Sequence, residues 1–231
     1  MTEGRLEAGN WREDGWALFA GVLGADEIAG LLAEADRLLA MPDLFAERGA
    51  VVNSQRRSDR LDPVIDLSPA FAAVARDRGL LALASELLGG EAQLFKDKFI
   101  AKPPGAIGYA AHQDGAYWPG MGLDPGRFLT AVLFLDPAGE DNGAIECASG
   151  SHRKLLTDPA RIADLDEDAI GPFHTVEAAA GDLLMIHALT PHRSASNRSQ
   201  RMRRALLFTY GVDPRLDLYA VYRQHRTRIS E

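Results

Sequence analysis

The chain has 231 residues, 46% of them hydrophobic and 25% charged, ordinary globular proportions that point to neither disorder nor a fibrous repeat. Its formal net charge of −8 argues against nucleic acid, whose phosphates are met mainly by Lys and Arg. No apolar run approaches the roughly 20 residues of a membrane-spanning helix, and the single cysteine, Cys147, excludes an intrachain disulfide.

Residues 1–14 lack the apolar core of a signal peptide, so a soluble protein of the reducing cytoplasm is expected. Asp26 opens a stretch in which Ile28, Leu31, Leu32, Ala35, Leu38 and Leu39 recur at three- and four-residue steps, an amphipathic helix that Pro42 stops. Residues 41–66, with Pro42, Pro63 and the run Asn53-Ser54-Gln55-Arg56-Arg57, read as a long loop of the kind that is often functional. A second helical stretch covers 69–88, broken at Gly79 and ended by Gly89-Gly90. From Glu91 onward short apolar runs are divided by Gly, Pro, Asn and Asp, which is strand-and-turn punctuation. The expected strands are 93–102, 106–113, 128–135, 144–148, 173–178, 183–187, 190–194 and 203–212. The fold expected is mainly β with flanking α-helices, a jelly roll. A single domain spans 1–231, with a helical portion over about 1–90 and a β core over about 91–212.

The chemistry concentrates in His112-Gln113-Asp114, with His192 and Arg203 far downstream. In a strand, residues i and i+2 share a face, so His112 and Asp114 can reach one metal ion. His192 would supply the third ligand from another strand, completing the two-histidine, one-carboxylate facial triad of non-haem Fe(II) oxygenases. A hairpin through 195–200 would return Arg203 beside His192. A keto acid that chelates iron at one end needs its far carboxylate held by a bidentate cation, which makes 2-oxoglutarate the natural cosubstrate and Arg203 its partner.

The motifs Ile100-Ala101-Lys102-Pro103-Pro104, His112-Gln113-Asp114-Gly115-Ala116-Tyr117-Trp118-Pro119, Asn142-Gly143, Ser149-Gly150-Ser151-His152, Gly181-Asp182 and His192-Arg193-Ser194 through Asn197 to Arg203 resemble the phytanoyl-CoA dioxygenase family. The resemblance spans nearly the whole chain, from Glu13-Asp14-Gly15-Trp16 onward. It implies a cupin-like double-stranded β-helix, Fe(II) on His112, Asp114 and His192, and Arg203 on the distal carboxylate of 2-oxoglutarate. It also implies Gln113, Trp118, Thr130, Ser194 and Lys98 around the cosubstrate. Where the family commonly has glycine after the distal histidine this chain has Arg193, and Ser149 replaces the usual proline before Gly-Ser-His. Halogenating relatives replace the carboxylate ligand by a small residue, so Asp114 favours hydroxylation.

Other groups carry less. His187 shares a strand face with Leu183 and Met185 and reads as a core or supporting histidine, and His152 as part of a turn. His174 and His225 have no evident partner. Cys147 reads as a small buried hydrophobe. Tyr117 and Trp118 are expected to wall the site. Arg56, Arg57, Arg60, Lys96, Lys102 and Arg193 together favour an anionic small-molecule substrate, alongside O₂ and with neither nucleic acid nor membrane as partner. The expected activity is hydroxylation with release of succinate and CO₂. Its alternatives are a non-catalytic metal- or ligand-binding β-barrel module of the same fold and a metal-dependent isomerase or hydrolase.

Overall fold

A computed structural model describes residues 4–41, 43–45, 49–52, 55–118, 121–156 and 170–230, with side chains apart from 49–58 and 226–230. In chain order the strands are β1 (Arg5–Ala8), β2 (Trp16–Ala20), β3 (Gly49–Val52), β4 (Gln55–Leu61), β5 (Gln93–Lys102), β6 (Tyr109–His112) and β7 (Phe128–Phe134). They continue with β8 (Ile145–Ala148), β9 (Phe173–Val176), β10 (Leu183–His187), β11 (His192–Ser194) and β12 (Arg203–Gly211). Helices α1 (Trp11–Asp14), α2 (Ala25–Leu39), α3 (Pro69–Ala75), α4 (Arg78–Leu88) and α5 (Leu218–Ser230) complete the described elements. None of the described helices is long and apolar enough to cross a membrane.

Two antiparallel sheets form a jelly roll. The larger has the order β1-β2-β10-β7-β12-β5-β4-β3 and the smaller β6-β11-β8-β9. Every residue of β7 is buried because its two faces meet different partners. Leu129, Ala131 and Leu133 point outward onto the helices, together with Leu183 and Met185 of β10. Val132 and Phe134 point inward, where they meet Ile145, Cys147 and Val176 of the smaller sheet. Period-two alternation thus builds two cores from one strand, one under the helices and one between the sheets.

The helices cover the outer face of the larger sheet. In α2, Ile28, Leu31, Ala35 and Leu38 are buried, the stripe expected of a 3.6-residue period. The second helical stretch is interrupted at Arg76-Asp77 rather than at Gly79, because the Asp77 carboxylate accepts from the Gly79 and Leu80 amides (2.8 and 3.1 Å) and caps a new helix. Gly89, with φ of 68°, closes α4 in the left-handed conformation. Phe71 is fully buried, its ring 5.7 Å from that of Phe99. Phe71→Ala should lower stability by about 3–5 kcal/mol, read as a fall in denaturant midpoint at unchanged slope.

Three expectations need correction. Residues 41–66 are not merely a loop: β3 and β4 form an edge hairpin, with Arg60 and Leu61 paired to Ile100 and Phe99 of β5. The Gln-Arg-Arg-Ser-Asp-Arg-Leu sequence of β4 carries no apolar alternation to betray it. The portion before residue 90 is not all helical either, since β1 and β2 extend the larger sheet through pairing with β10. Finally, β11 and β12 do not form a hairpin: β11 lies between β6 and β8, whereas β12 lies between β7 and β5. The chain crosses from one sheet to the other over 195–202, and Arg203 therefore faces His192 across the sandwich.

Candidate active site

His112 ends β6 and His192 begins β11, and the two are direct register partners. Cross-strand pairing therefore brings their rings to 4.3 Å between centroids. Each Nδ1 lies against the carbonyl two residues earlier in the chain, Ala110 O at 2.8 Å and Thr190 O at 3.0 Å. A carbonyl only accepts, so Nδ1 donates in both rings and each Nε2 is the nitrogen left for a metal. Burial, joined by the neighbouring His192, pushes His112 down to about 3, which keeps it neutral and available to a metal at physiological pH.

Asp114 completes the set. Strand pairing stops at His112, but Gln113 remains extended (φ −108°, ψ 127°) before a 3₁₀ turn over Asp114–Tyr117. The i, i+2 relation expected of a strand thus survives at the strand's end. Oδ2 of Asp114 accepts from the Thr130 hydroxyl at 2.6 Å, and Thr130 meets Thr209 Oγ1 at 3.1 Å, so the carboxylate is held from the opposite sheet. Burial would raise this carboxyl, but Lys98, His192 and His112 outweigh it and hold Asp114 below the ordinary carboxylate range. One ligand atom each from His112, Asp114 and His192 lies within 4.8 Å of the others. Two imidazole nitrogens and one ionised carboxylate oxygen suit non-haem Fe(II), with further positions left for small ligands.

Lys98, Thr130, Ser194 and Arg203 line the same cavity, with Ile100, Val132, Ile186, Ala205 and Leu207 as apolar wall. Arg203 is 4% exposed, and its Nε is buried with no hydrogen-bond partner among the described residues. Burial lowers it to about 10, which still leaves it charged. A buried, incompletely satisfied guanidinium is costly unless an anion joins it, so the slot fits a carboxylate end of 2-oxoglutarate. Ser194 Oγ takes a hydrogen bond from Lys102 Nζ at 3.1 Å, and the same ammonium donates to Ala195 O. Lys102 is fully buried by these partners, which places it behind the cavity wall rather than in an anion-binding surface.

Several other expected residues lie elsewhere. Gln113 is fully buried: its amide donates to Lys154 O and Leu189 O (2.9 and 2.5 Å), and its carbonyl accepts from Leu156 N (2.8 Å). It fastens the segment after the Gly-Ser-His turn and does not line the cavity. Trp118 packs edge-on against Phe95 at 5.0 Å in a satellite core, whereas Tyr117 is 46% exposed with its ring 5.7 Å from His112. Arg193 lines the cavity but is tied to Glu146 at 2.8 Å, with its guanidinium 4.2 Å over the Phe173 ring. His187 points outward, its Nε2 3.2 Å from Gly126 O and its ring beside Trp11 and His152, away from the triad. Cys147 is buried and free, and burial raises its thiol far above the ordinary range. Arg56 and Arg57 fall outside the described side chains.

Sequence reasoning missed Tyr109 as a cavity wall and grouped Arg60 only with the cations favouring an anionic substrate. The β4–β5 pairing sets Arg60 beside Ile100 in the cavity wall. The tether that carries it continues into α5, where Tyr222 donates to Asp62.

Known proteins agree with this architecture. Residues 11–205 match the family described as phytanoyl-CoA dioxygenase. The 2-aminoethylphosphonate dioxygenase of an uncultured bacterium, HF130_AEPn_1, is 30% identical over 153 residues, covering 65% of this chain. This chain spans only 58% of that relative's length. The methylphosphonate hydroxylase of Gimesia maris is 24% identical over 233 residues, 99% of this chain and 87% of the relative. Among solved structures, the epimerase SnoN in complex with Fe³⁺, alpha-ketoglutarate and nogalamycin RO is 28% identical with a TM-score of 0.73, covering 87% of this chain and 80% of SnoN. With its jelly roll, its His-Asp-His cluster and a family match over most of its length, the chain belongs to the phytanoyl-CoA dioxygenase family.

Proposed function

We propose that the chain is an Fe(II)- and 2-oxoglutarate-dependent dioxygenase that hydroxylates a small molecule and releases succinate and CO₂. The observation that carries this reading is the clustering of three donor atoms within 4.8 Å, facing a buried Arg203 whose Nε has no partner among the described residues. When bound, iron and 2-oxoglutarate supply the oxidising chemistry, and the protein supplies positioning and electrostatics. His112 and His192 present their Nε2 atoms because their Nδ1 protons are engaged by backbone carbonyls. Thr130 orients the Asp114 carboxylate, and Arg203 with Ser194 receives the far carboxylate of the cosubstrate. Ile186, Val132 and Leu207 keep water from the reacting centre. The retained carboxylate of Asp114 favours hydroxylation over halogenation, and a free, buried Cys147 is consistent with a reducing cytoplasm.

The substrates in the relatives' names, 2-aminoethylphosphonate and methylphosphonate, are small molecules, which supports a small-molecule substrate for this chain. Anaerobic addition of Fe(II) and then 2-oxoglutarate should produce the weak visible charge-transfer absorption of a chelated keto acid. On admission of O₂, succinate should appear. A protein that binds the metal yet gives neither absorption nor succinate would be a binding module, and the dioxygenase reading would fall.

A further inference from the structure

Beyond the triad and Arg203, the cavity holds two further cationic groups, Arg60 and Lys98, the second of which the family resemblance sets near the cosubstrate. Lys98 is 6% exposed, makes no hydrogen bond among the described residues, and has as its ion-pair partner only Asp114, at 4.0 Å. Asp114 is the carboxylate that a metal ion would claim. Arg60, on β4, donates to Asp62 at 2.7 Å but leaves its Nε buried without a partner among the described residues. Asp62 serves more than one cation, since Lys96 lies 3.4 Å away, and Tyr222 of α5 donates to it as well. Once metal binds Asp114, the single carboxylate of Asp62 faces Arg60, Lys96 and Lys98 together.

Register separates this corner from the cosubstrate slot. Arg203 pairs with Lys102, whereas Lys98 pairs with Leu207, so four residues of strand, roughly 13 Å between backbone positions, lie between the two cations. Arg60 sits on β4, two strands and roughly 10 Å from β12, which carries Arg203. Asp59, a buried carboxylate on β4, faces the Tyr109 hydroxyl at 3.4 Å and lies on the Arg203 side, where it adds to the field that keeps Arg203 charged. The register thus sets Lys98 apart from the Arg203 end of the cavity.

Resting on the dioxygenase reading, we infer that Lys98 and Arg60 form the subsite for an oxyanion head group of the primary substrate, a phosphonate or a carboxylate. A buried Lys98 and a largely buried Arg60, both with unused donors and with Ile100, Val132 and Leu207 in the same cavity wall, lose much of their desolvation cost when a multidentate oxyanion accepts from both. A head group seated there lies beside Asp114, so the carbon presented to the metal is close to the charged end of a short substrate. Asp62, held by Tyr222, sets the angle of Arg60 and acts as a positioning residue. Residues matched by the family end at 205, so Tyr222, which holds Asp62, lies outside that match.

The test uses protein loaded anaerobically with Fe(II) and 2-oxoglutarate, with ethylphosphonate and propionate as probes in calorimetric titration. The wild type should bind at least one probe, and Lys98→Met and Arg60→Met should each weaken that binding about ten-fold or more while retaining the keto-acid absorption. Lys98→Arg should restore most of the affinity, which separates charge from a folding defect. Which probe binds identifies the head group. The subsite is overturned if neither probe binds, if the methionine variants bind as the wild type does, or if they lose the keto-acid absorption instead, since the cations would then serve the cosubstrate. Should the wild type bind a probe in a Lys98-dependent way yet never show the absorption, the subsite stands and the dioxygenase reading fails.

Discussion

His192→Ala should abolish metal-dependent turnover, with substrate-stimulated succinate falling by more than about 100-fold, the upper end of what removal of an outer partner of a metal ligand costs. The imidazole is one of three donors within 4.8 Å, and no other described histidine can replace it: His187 lies on the outer face and His152 beside it. The backbone of β11 pairs on both sides, His192 with His112 of β6 and with Cys147 of β8, so the ladder survives loss of the side chain. The variant should therefore melt near the wild type while its bound iron, measured after gel filtration, falls below one-tenth. Retained succinate formation at wild-type rate would exclude His192 as a ligand.

Arg203→Met should raise the KM for 2-oxoglutarate about 30-fold or more, because truncating one partner of a buried ionic contact costs at least about 2 kcal/mol. The same change has an opposite effect on the unliganded protein. There the guanidinium is 4% exposed with an orphaned Nε, and methionine of similar length relieves that desolvation. The variant should accordingly melt no lower than the wild type without cosubstrate and gain less on its addition. Unchanged KM together with an unchanged response to 2-oxoglutarate in thermal melts would remove Arg203 from the cosubstrate slot.

The reach of the sequence varied with how local the determining physics is. Strands β5 and β10 coincide with the expected 93–102 and 183–187, because an apolar run bounded by Gly, Pro or a helix cap is a local signal. Strand β4 escaped notice because it lacks apolar alternation, and its place in the sheet comes from pairing Arg60 and Leu61 with β5, a partner some 40 residues away. Helix α5 escaped for a related reason: its buried Leu218 and Tyr222 are too few to make a stripe, and the hydroxyls of Tyr219 and Tyr222 reach Asp97 and Asp62 instead. In the site, the spacing of His112 and Asp114 was legible, as was the need for a distant histidine and arginine. That Thr130 would clasp Asp114, that Gln113 would turn away, and that Lys102 would fasten Ser194 from behind were not legible. Each depends on which face of a neighbouring strand lies opposite, a matter of register that no single segment encodes.

The division of the site between the two sheets has a mechanical consequence. His112 and His192 belong to the smaller sheet, whereas Arg203, Thr130 and Lys98 belong to the larger. A ligand that touches the histidine pair and Arg203 at once acts as a rivet through the sandwich, and the free energy of its binding adds to the force needed to prise the layers apart. The sandwich is then tightest in the state in which it must keep water out, and loosest when product has to leave.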